Sequence, residues 1–335
     1  MLLLLYAIET NSLTKEFGKV RAVDNISFKV DTGEIFGFLG PNGAGKSTTM
    51  MILTTLLKPT SGKASVAGFD VVTQATKVRQ NIGYVQQEIS VDEFLSGREN
   101  LLIQARLNHV PKDQAEKRID EVLDLVELTD KQKDAALTYS GGMRKRLDIA
   151  GGLLNRPKVL FLDEPTVGLD IQTRRKIWEY IKKIHEEFEM SIFLSTHYME
   201  EADQLCDRIA IIDYGKIQAN DTPKSMKAAL GNYSVTFTFN DLSKKSNFLE
   251  KIKEIEHVKD ITTKDEKITV FSSKETIMSS IFNLSSGLGI EINSITFTQP
   301  TLDDVFIAYT GHDLRDNVGT YDRRKEHIKM KRIRA

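Results

Sequence analysis

The stretch Gly40-Pro41-Asn42-Gly43-Ala44-Gly45-Lys46-Ser47-Thr48 limits what this chain can become more than any other. It fits the pattern Gly-x-x-x-x-Gly-Lys-Ser/Thr, and both of its flanks suit that pattern. Glu34–Leu39 reads as a short buried strand leading in. Ser47–Leu57 reads as a helix leading out, with apolar residues at Met50, Met51, Leu53, Leu56 and Leu57. Strand, glycine loop and helix together aim consecutive backbone N–H groups and a helix N-terminus at one anion. Glycine lets the main chain approach phosphate oxygens with no Cβ in the way. Lys46 adds charge for the β- and γ-phosphates, and Ser47 can offer its hydroxyl to Mg2+. A glycine-rich turn that binds nothing would need neither flank, so the stretch reads as a nucleoside-triphosphate site.

The chain has 335 residues, room for two domains of roughly 150 residues each. Its net charge of −1 and 40% hydrophobic content fit a soluble globular protein and argue against a general nucleic-acid binder. Cys206 is the one cysteine, so no intramolecular disulfide can form, a reducing compartment fits, and core filling is its expected role. The apolar start Met1–Ile8 stops at Glu9, well short of the roughly 18 residues a membrane helix needs. It is expected to open an edge strand of the first sheet. With no longer apolar run downstream, any work at a membrane goes through partners.

Strands are predicted at Tyr6–Asn11, Ala22–Lys29 and Glu34–Leu39, with Leu13–Gly18 between the first two. Turns follow at Pro59–Gly62 and Gly68–Asp70, then a short helix at 75–81 and the strand Ile82–Val85. Helical periodicity runs from Gly97 to Leu128, broken at Val110-Pro111, and Pro157 ends a further helix. Val159–Leu162 has the fully apolar pattern of a central parallel strand. A helix at 171–188, strand Ser191–Leu194, a helix at 198–206 and a hairpin around Tyr214-Gly215 complete an alternation that argues for a parallel α/β core. Pro223 and Gly231 mark a change of character. Beyond them the order strand 233–239, helix 246–255, strands 258–262 and 267–272, helix 275–286 and strand 291–298 is the βαββαβ pattern of ferredoxin-like folds. Thr301–Ala308 reads as a closing helix, Thr301 its N-cap. The tail, residues 312–335, is basic, and is read as a solvated end in preference to a lipid-binding one.

Asp163-Glu164 follows directly on the strand Val159–Leu162, at the strand ends where ligands bind in such sheets. Asp163 can hold Mg2+, and Glu164 can polarise an attacking water. His197 ends the next strand in the same way. Ser140-Gly141-Gly142 opens a helix and offers a second anion-binding N-terminus. One Lys46 serves one nucleotide, so this second end is read as serving another molecule, as in a two-fold pair of chains.

Taken together, these motifs resemble the nucleotide-binding subunit of ATP-binding-cassette (ABC) transporters, over about residues 6–225 and with every family motif in order. The resemblance implies a P-loop ABC cassette over 1–230: a RecA-like parallel core, an antiparallel β subdomain and a helical subdomain at about 88–155. A small α+β ferredoxin-like domain would span 231–311. It implies that Phe17 stacks on adenine, that Gly40–Thr48 is Walker A, and that Gln87 lies near Mg2+ and water. Ser140, Gly141 and Gly142 would be the signature that meets the γ-phosphate of the opposite subunit. Asp163 would be the metal ligand beside Ser47, Glu164 the catalytic base, Asp170 the D-loop residue and His197 the switch histidine. ATP and Mg2+ are the implied cofactors. The implied assembly is a homodimer, or a heterodimer with a second cassette, around two ATP molecules. It would sit on the cytoplasmic face of the cell membrane, driving separate transmembrane permease subunits with no nucleic acid involved. The loop from Gln87 to Arg98, including Asp92, Glu93 and Phe94, would receive a short helix of the permease.

Tyr139 and Met143 stand where the family most often has Leu and Gln. With Gln299–Phe306 they resemble the daunorubicin-resistance-type exporter ATPases, which implies export of drug-like or lipid-like compounds. A soluble ABC ATPase acting on ribosomes or DNA is the alternative. Against it, the chain has one cassette, and about a hundred residues without sustained heptads separate Walker A from the signature. For the βαββαβ unit, packing and ligand regulation compete evenly, and nothing in it looks catalytic.

Overall fold

A computed structural model of the protein describes residues 6–239, 245–264 and 267–311. The apolar start Met1–Leu5 and the basic tail lie outside the described residues. β1 (Tyr6–Phe17) and β2 (Val20–Asp31) form a long antiparallel hairpin. β3 (Ile35–Leu39) then enters a second sheet, and α1 (Lys46–Leu53) follows the glycine loop. β4 (Ser61–Val66) and β5 (Phe69–Asp70) return to the first sheet, whose order is β2-β1-β4-β5.

Three expectations change here. β1 continues through Leu13–Glu16 to Phe17 and lies inside its sheet, not at an edge. Ser12 at φ 52° and Asn25 at φ 54° adopt left-handed conformations where the register slips, so bulges absorb what would otherwise end the pairing. The Pro59–Gly62 stretch runs straight into β4, which β1 pairs along its length. And α1 stops at Leu53 instead of Leu57. The Thr54 hydroxyl donates to the Met50 carbonyl (2.9 Å) and Thr55 turns to φ 67°, leaving Leu56 exposed.

After α2 (Ala75–Gln80) come β6 (Ile82–Val85) and the helical layer α3 (Gly97–Leu107), α4 (Lys112–Leu125) and α5 (Gly141–Leu153). β7 (Val159–Asp163), α6 (Ile171–Phe188), β8 (Ser191–Thr196), α7 (Met199–Leu205), β9 (Arg208–Asp213) and β10 (Lys216–Asp221) complete a six-stranded sheet of order β10-β9-β3-β8-β7-β6. Its neighbours are parallel except in the β9–β10 hairpin. Side chains alternate across this sheet. Phe36, Phe38, Phe161 and Phe193 join Phe28 of the first sheet in an aromatic layer with ring centroids 5.5–6.0 Å apart. Burying each such ring stabilises the fold by roughly 1.5–3 kcal/mol. The opposite face, with Ile192 and Leu194, packs on the helices. Cys206 sits there as core filler: a Cβ on Gly37 would lie 2.6 Å from its Sγ, and burial pushes its thiol well above the usual value.

The boundary expected at Pro223 and Gly231 is a helix, α8 (Pro223–Leu230). Thr222 caps it, Pro223 takes the first-turn position where its missing N–H costs nothing, and Gly231 follows its end. The last elements are β11 (Tyr233–Phe239), α9 (Lys245–Lys253), β12 (Val258–Lys264), β13 (Lys267–Ser272), α10 (Ile277–Gly287) and β14 (Ile292–Thr298). They make an antiparallel sheet of order β12-β13-β11-β14 over a core of Val235, Phe237, Phe248, Ile268 and Val270. α11 (Leu302–Thr310) opens on a Thr301–Asp304 capping box. It then buries Leu302, Val305 and Phe306 not in that core but in the helix-side core of the first unit, with Met226 and Leu230.

Candidate nucleotide-binding site

The glycine loop joins β3 to α1, and packing alone demands two of its glycines. A Cβ on Gly40 would lie 2.2 Å from the Ile212 carbonyl oxygen, and one on Gly45 would lie 2.4 Å from that of Ala22. Gly45 also sits at φ 108° and Gly43 at φ 81°, which only glycine adopts without strain. The hairpin that supplies Ala22 carries Phe17 at its tip, where the residue is 49% exposed and Lys15 Nζ lies 5.1 Å from the ring centroid.

Lys46, the first residue of α1, is buried. Its Nζ donates to the carbonyls of Gly40 (2.8 Å) and Pro41 (3.1 Å) and lies 3.2 Å from Glu164 Oε1. The other carboxylate oxygen of Glu164 is 3.2 Å from His197 Nδ1. Three strand ends, β3, β7 and β8, thus deliver a lysine, a glutamate and a histidine to one point. Burial by itself raises the Glu164 carboxyl, but His197 and Lys46 together outweigh it and hold Glu164 below the usual carboxylate value. Burial pushes the Lys46 ammonium down despite Glu164 beside it. The Glu164 carboxylate, flanked by Lys46 Nζ and His197 Nδ1, is placed to accept a hydrogen bond from a water and so to orient it.

Asp163 ends β7 with Oδ1 3.5 Å from Ser47 Oγ, and that hydroxyl is the donor. One carboxylate and one hydroxyl are hard oxygen donors in the number that Mg2+ takes from protein when phosphates supply further ligands. The residues present fit that ion. Among the described residues no group of three or more His, Cys, Asp or Glu could hold a metal ion.

Ser140 caps α5, its Oγ accepting from the Met143 N–H (3.2 Å). Among the described residues no hydrogen bond or ion pair joins Ser140–Gly142 to the Gly40–Thr48 loop. Gly142 packs instead on α6, where a Cβ would lie 2.5 Å from Thr173 Cγ2. Thr173 is bound in turn to the α6 cap Asp170, whose Oδ1 accepts from its N–H (2.9 Å) and Oδ2 from its hydroxyl (2.6 Å). The Thr173 hydroxyl and N–H hold the Asp170 carboxyl below its usual value. Gln87 is exposed just beyond β6 and is not brought into hydrogen bonding with Ser47, Asp163 or Glu164. Its loop is tied to α5, where Lys145 Nζ donates to the Gln86 carbonyl (2.8 Å), Ser90 Oγ donates to Asp148 Oδ1 (2.6 Å), and Arg144 pairs with Glu93. Sequence reasoning passed over those ties, and also Thr173 and Ser195. Nothing in the sequence sets Ser195 apart from Ser191 and Thr196, the other hydroxyl residues of β8.

The family model for the ABC transporter matches residues 23–167. The chain is 39% identical over 314 residues to the daunorubicin/doxorubicin resistance ATP-binding protein DrrA of Streptomyces peucetius, covering 92% of this chain and 94% of that one. It is 36% identical over 313 residues to the linearmycin resistance ATP-binding protein LnrL of Bacillus subtilis (strain 168), covering 92% and 100%. Among solved structures it is similar to the dimeric post-hydrolysis state of the ATP-binding cassette MJ0796 bound to ADP and Pi. That match has a TM-score of 0.57 and 27% identity, over 64% of this chain and 98% of that one. None of these supports the ribosome- or DNA-directed alternative. With the phosphate loop, the acidic strand end and the capped glycine helix assembled on this fold, the chain belongs to the ABC transporter family, as one of its ATP-binding, ATP-hydrolysing subunits.

Proposed function

We propose that this subunit powers the export of drug-like or lipid-like compounds by closing on a second cassette around two ATP molecules and reopening on hydrolysis. The observation that carries the reading is the meeting of Lys46, Glu164 and His197 within 3.2 Å contacts, while the capped helix at Ser140 stands apart from that point. A site whose γ-phosphate ligands are divided in this way is completed by another chain. The dimeric cassette cited above supports that assembly.

In this reading Phe17 stacks on adenine, and Gly40–Thr48 wraps the phosphates with Lys46 as their charge. Ser47, Asp163 and Gln87 would hold Mg2+, which when bound neutralises charge developing on the phosphates. Glu164 takes a proton from the attacking water, and His197 holds that carboxylate and the γ-phosphate in place. Ser140–Gly142 reaches the nucleotide of the opposite chain, with Asp170 at the seam. A homodimer and a pair with a second, different cassette use the same contacts.

No helix among the described residues is long and apolar enough to cross a membrane; in this reading separate permease subunits provide the passage. The subunit works on their cytoplasmic face, with residues 1–230 as the cassette and 231–311 as an accessory domain. Resistance names among the relatives support export as the direction. The test is Glu164→Gln. This variant should bind ATP, lose turnover about 10²–10⁴-fold, and elute as a dimer in ATP. Monomer alone together with surviving turnover refutes the role of Glu164.

A further inference from the structure

Ser195, next to last in β8, is fully buried and joins the two acidic residues of the site. Its Oγ donates to Asp163 Oδ1 and accepts the N–H of Glu164 (3.1 Å), and its carbonyl oxygen accepts the same N–H at 3.1 Å. The preceding β8 residues, Phe193 and Leu194, are apolar and equally buried, so packing at this depth requires no hydroxyl.

Glu164 needs this support. It sits at φ 46°, a left-handed conformation that costs a non-glycine residue on the order of 1–3 kcal/mol. Pro165, directly after it, pushes its predecessor toward extended backbone. Two acceptors on one residue of the adjoining strand pin the Glu164 N–H against both tendencies. The conformation they hold sends its carboxylate to Lys46 and His197. The same hydroxyl also occupies Asp163 Oδ1, the oxygen nearest Ser47 Oγ, and so restrains the rotation of that carboxylate.

We propose that Ser195 is a positioning residue for ATP hydrolysis, its hydroxyl setting at once the orientation of the metal-side carboxylate of Asp163 and the backbone that aims Glu164. It acts through these two neighbours. The inference rests on the roles given above to Asp163 and Glu164.

Ser195→Ala in the full chain tests it. Turnover should fall at least about tenfold while KM for ATP stays within about threefold, since small misplacements of reacting groups are costly. Mn2+ binding to the complex with a non-hydrolysable ATP analogue, followed by electron paramagnetic resonance, should weaken at least about threefold, an effect that lost packing alone would not cause. Amide exchange at Glu164 should accelerate. Ser195→Thr, which keeps the hydroxyl, should turn over faster than its isostere Ser195→Val. Turnover of Ser195→Ala within about twofold of the parent overturns the proposal. So does slow turnover with unchanged Mn2+ affinity and unchanged exchange. A parent that hydrolyses no ATP, or a Glu164→Gln variant as fast as the parent, overturns instead the reading of the site beneath it.

Discussion

Lys46 Nζ and Glu164 Oε1 stand 3.2 Å apart, with 4% and 7% of their side-chain surface exposed. A pair so enclosed has consequences for pH. The Glu164 carboxyl lies below its usual value of 4.5 in the folded protein. Its ionised form therefore contributes stability that is complete above pH 4.5 and is lost as pH falls through the lower native value. The stability advantage of the parent over Glu164→Gln, read from the urea midpoint, should be present at about pH 5 and shrink as pH falls further. A difference that grows on acidification contradicts the pairing.

Ser140 caps α5, and in the function proposed above it also reaches a second chain. Ser140→Ala should cost about 1 kcal/mol of stability through the lost cap. It should also slow hydrolysis while leaving ATP affinity of the monomer unchanged by equilibrium dialysis. Ser140→Asn retains a capping oxygen and should recover the stability without the turnover. Loss of ATP binding by the monomer would place Ser140 in its own chain's site.

Gly142 has no room for a methyl group, because Thr173 Cγ2 would be 2.5 Å away. Thr173 cannot swing aside without releasing Asp170, to which its hydroxyl is bound at 2.6 Å. Gly142→Ala should therefore destabilise the protein by about 1–3 kcal/mol, read from chemical denaturation. Adding Thr173→Ser removes the obstructing methyl and keeps the hydroxyl, so the double variant should regain most of the loss.

Phe306 is fully buried in the core shared by α11 and the first unit. Phe306→Ala should cost about 3–5 kcal/mol and lower Tm of the whole chain. A transition in which only residues 231–311 melt early would show that α11 is bound less firmly than its burial indicates.

The phosphate loop, the acidic pair, His197 and the Ser140 cap were legible in the sequence because their chemistry admits few residue types. The parallel strands were legible as well, since burial on both faces leaves runs such as Val159–Leu162. Other elements depended on partners distant in the chain. β4 has the unremarkable sequence Ser-Gly-Lys-Ala-Ser-Val and exists because β1 offers it an edge. The early end of α1 depends on one threonine at positive φ. α8 was concealed by reading Pro223 and Gly231 as punctuation, although each is well suited to the end of a helix. At the site, a serine before Thr196-His197 carries no pattern of its own. Its importance comes from Asp163, 32 residues earlier in the chain.

The return of α11 alters what kind of object residues 231–311 are. A chain stopped at Gly231 would leave Met226 and Leu230 without Leu302, Val305 and Phe306 of the last helix, and without Phe271 of β13, which share their core. The accessory fold is stitched in at both ends, like a panel sewn along two seams. Exchange of that fold between related chains has to carry the second seam with it.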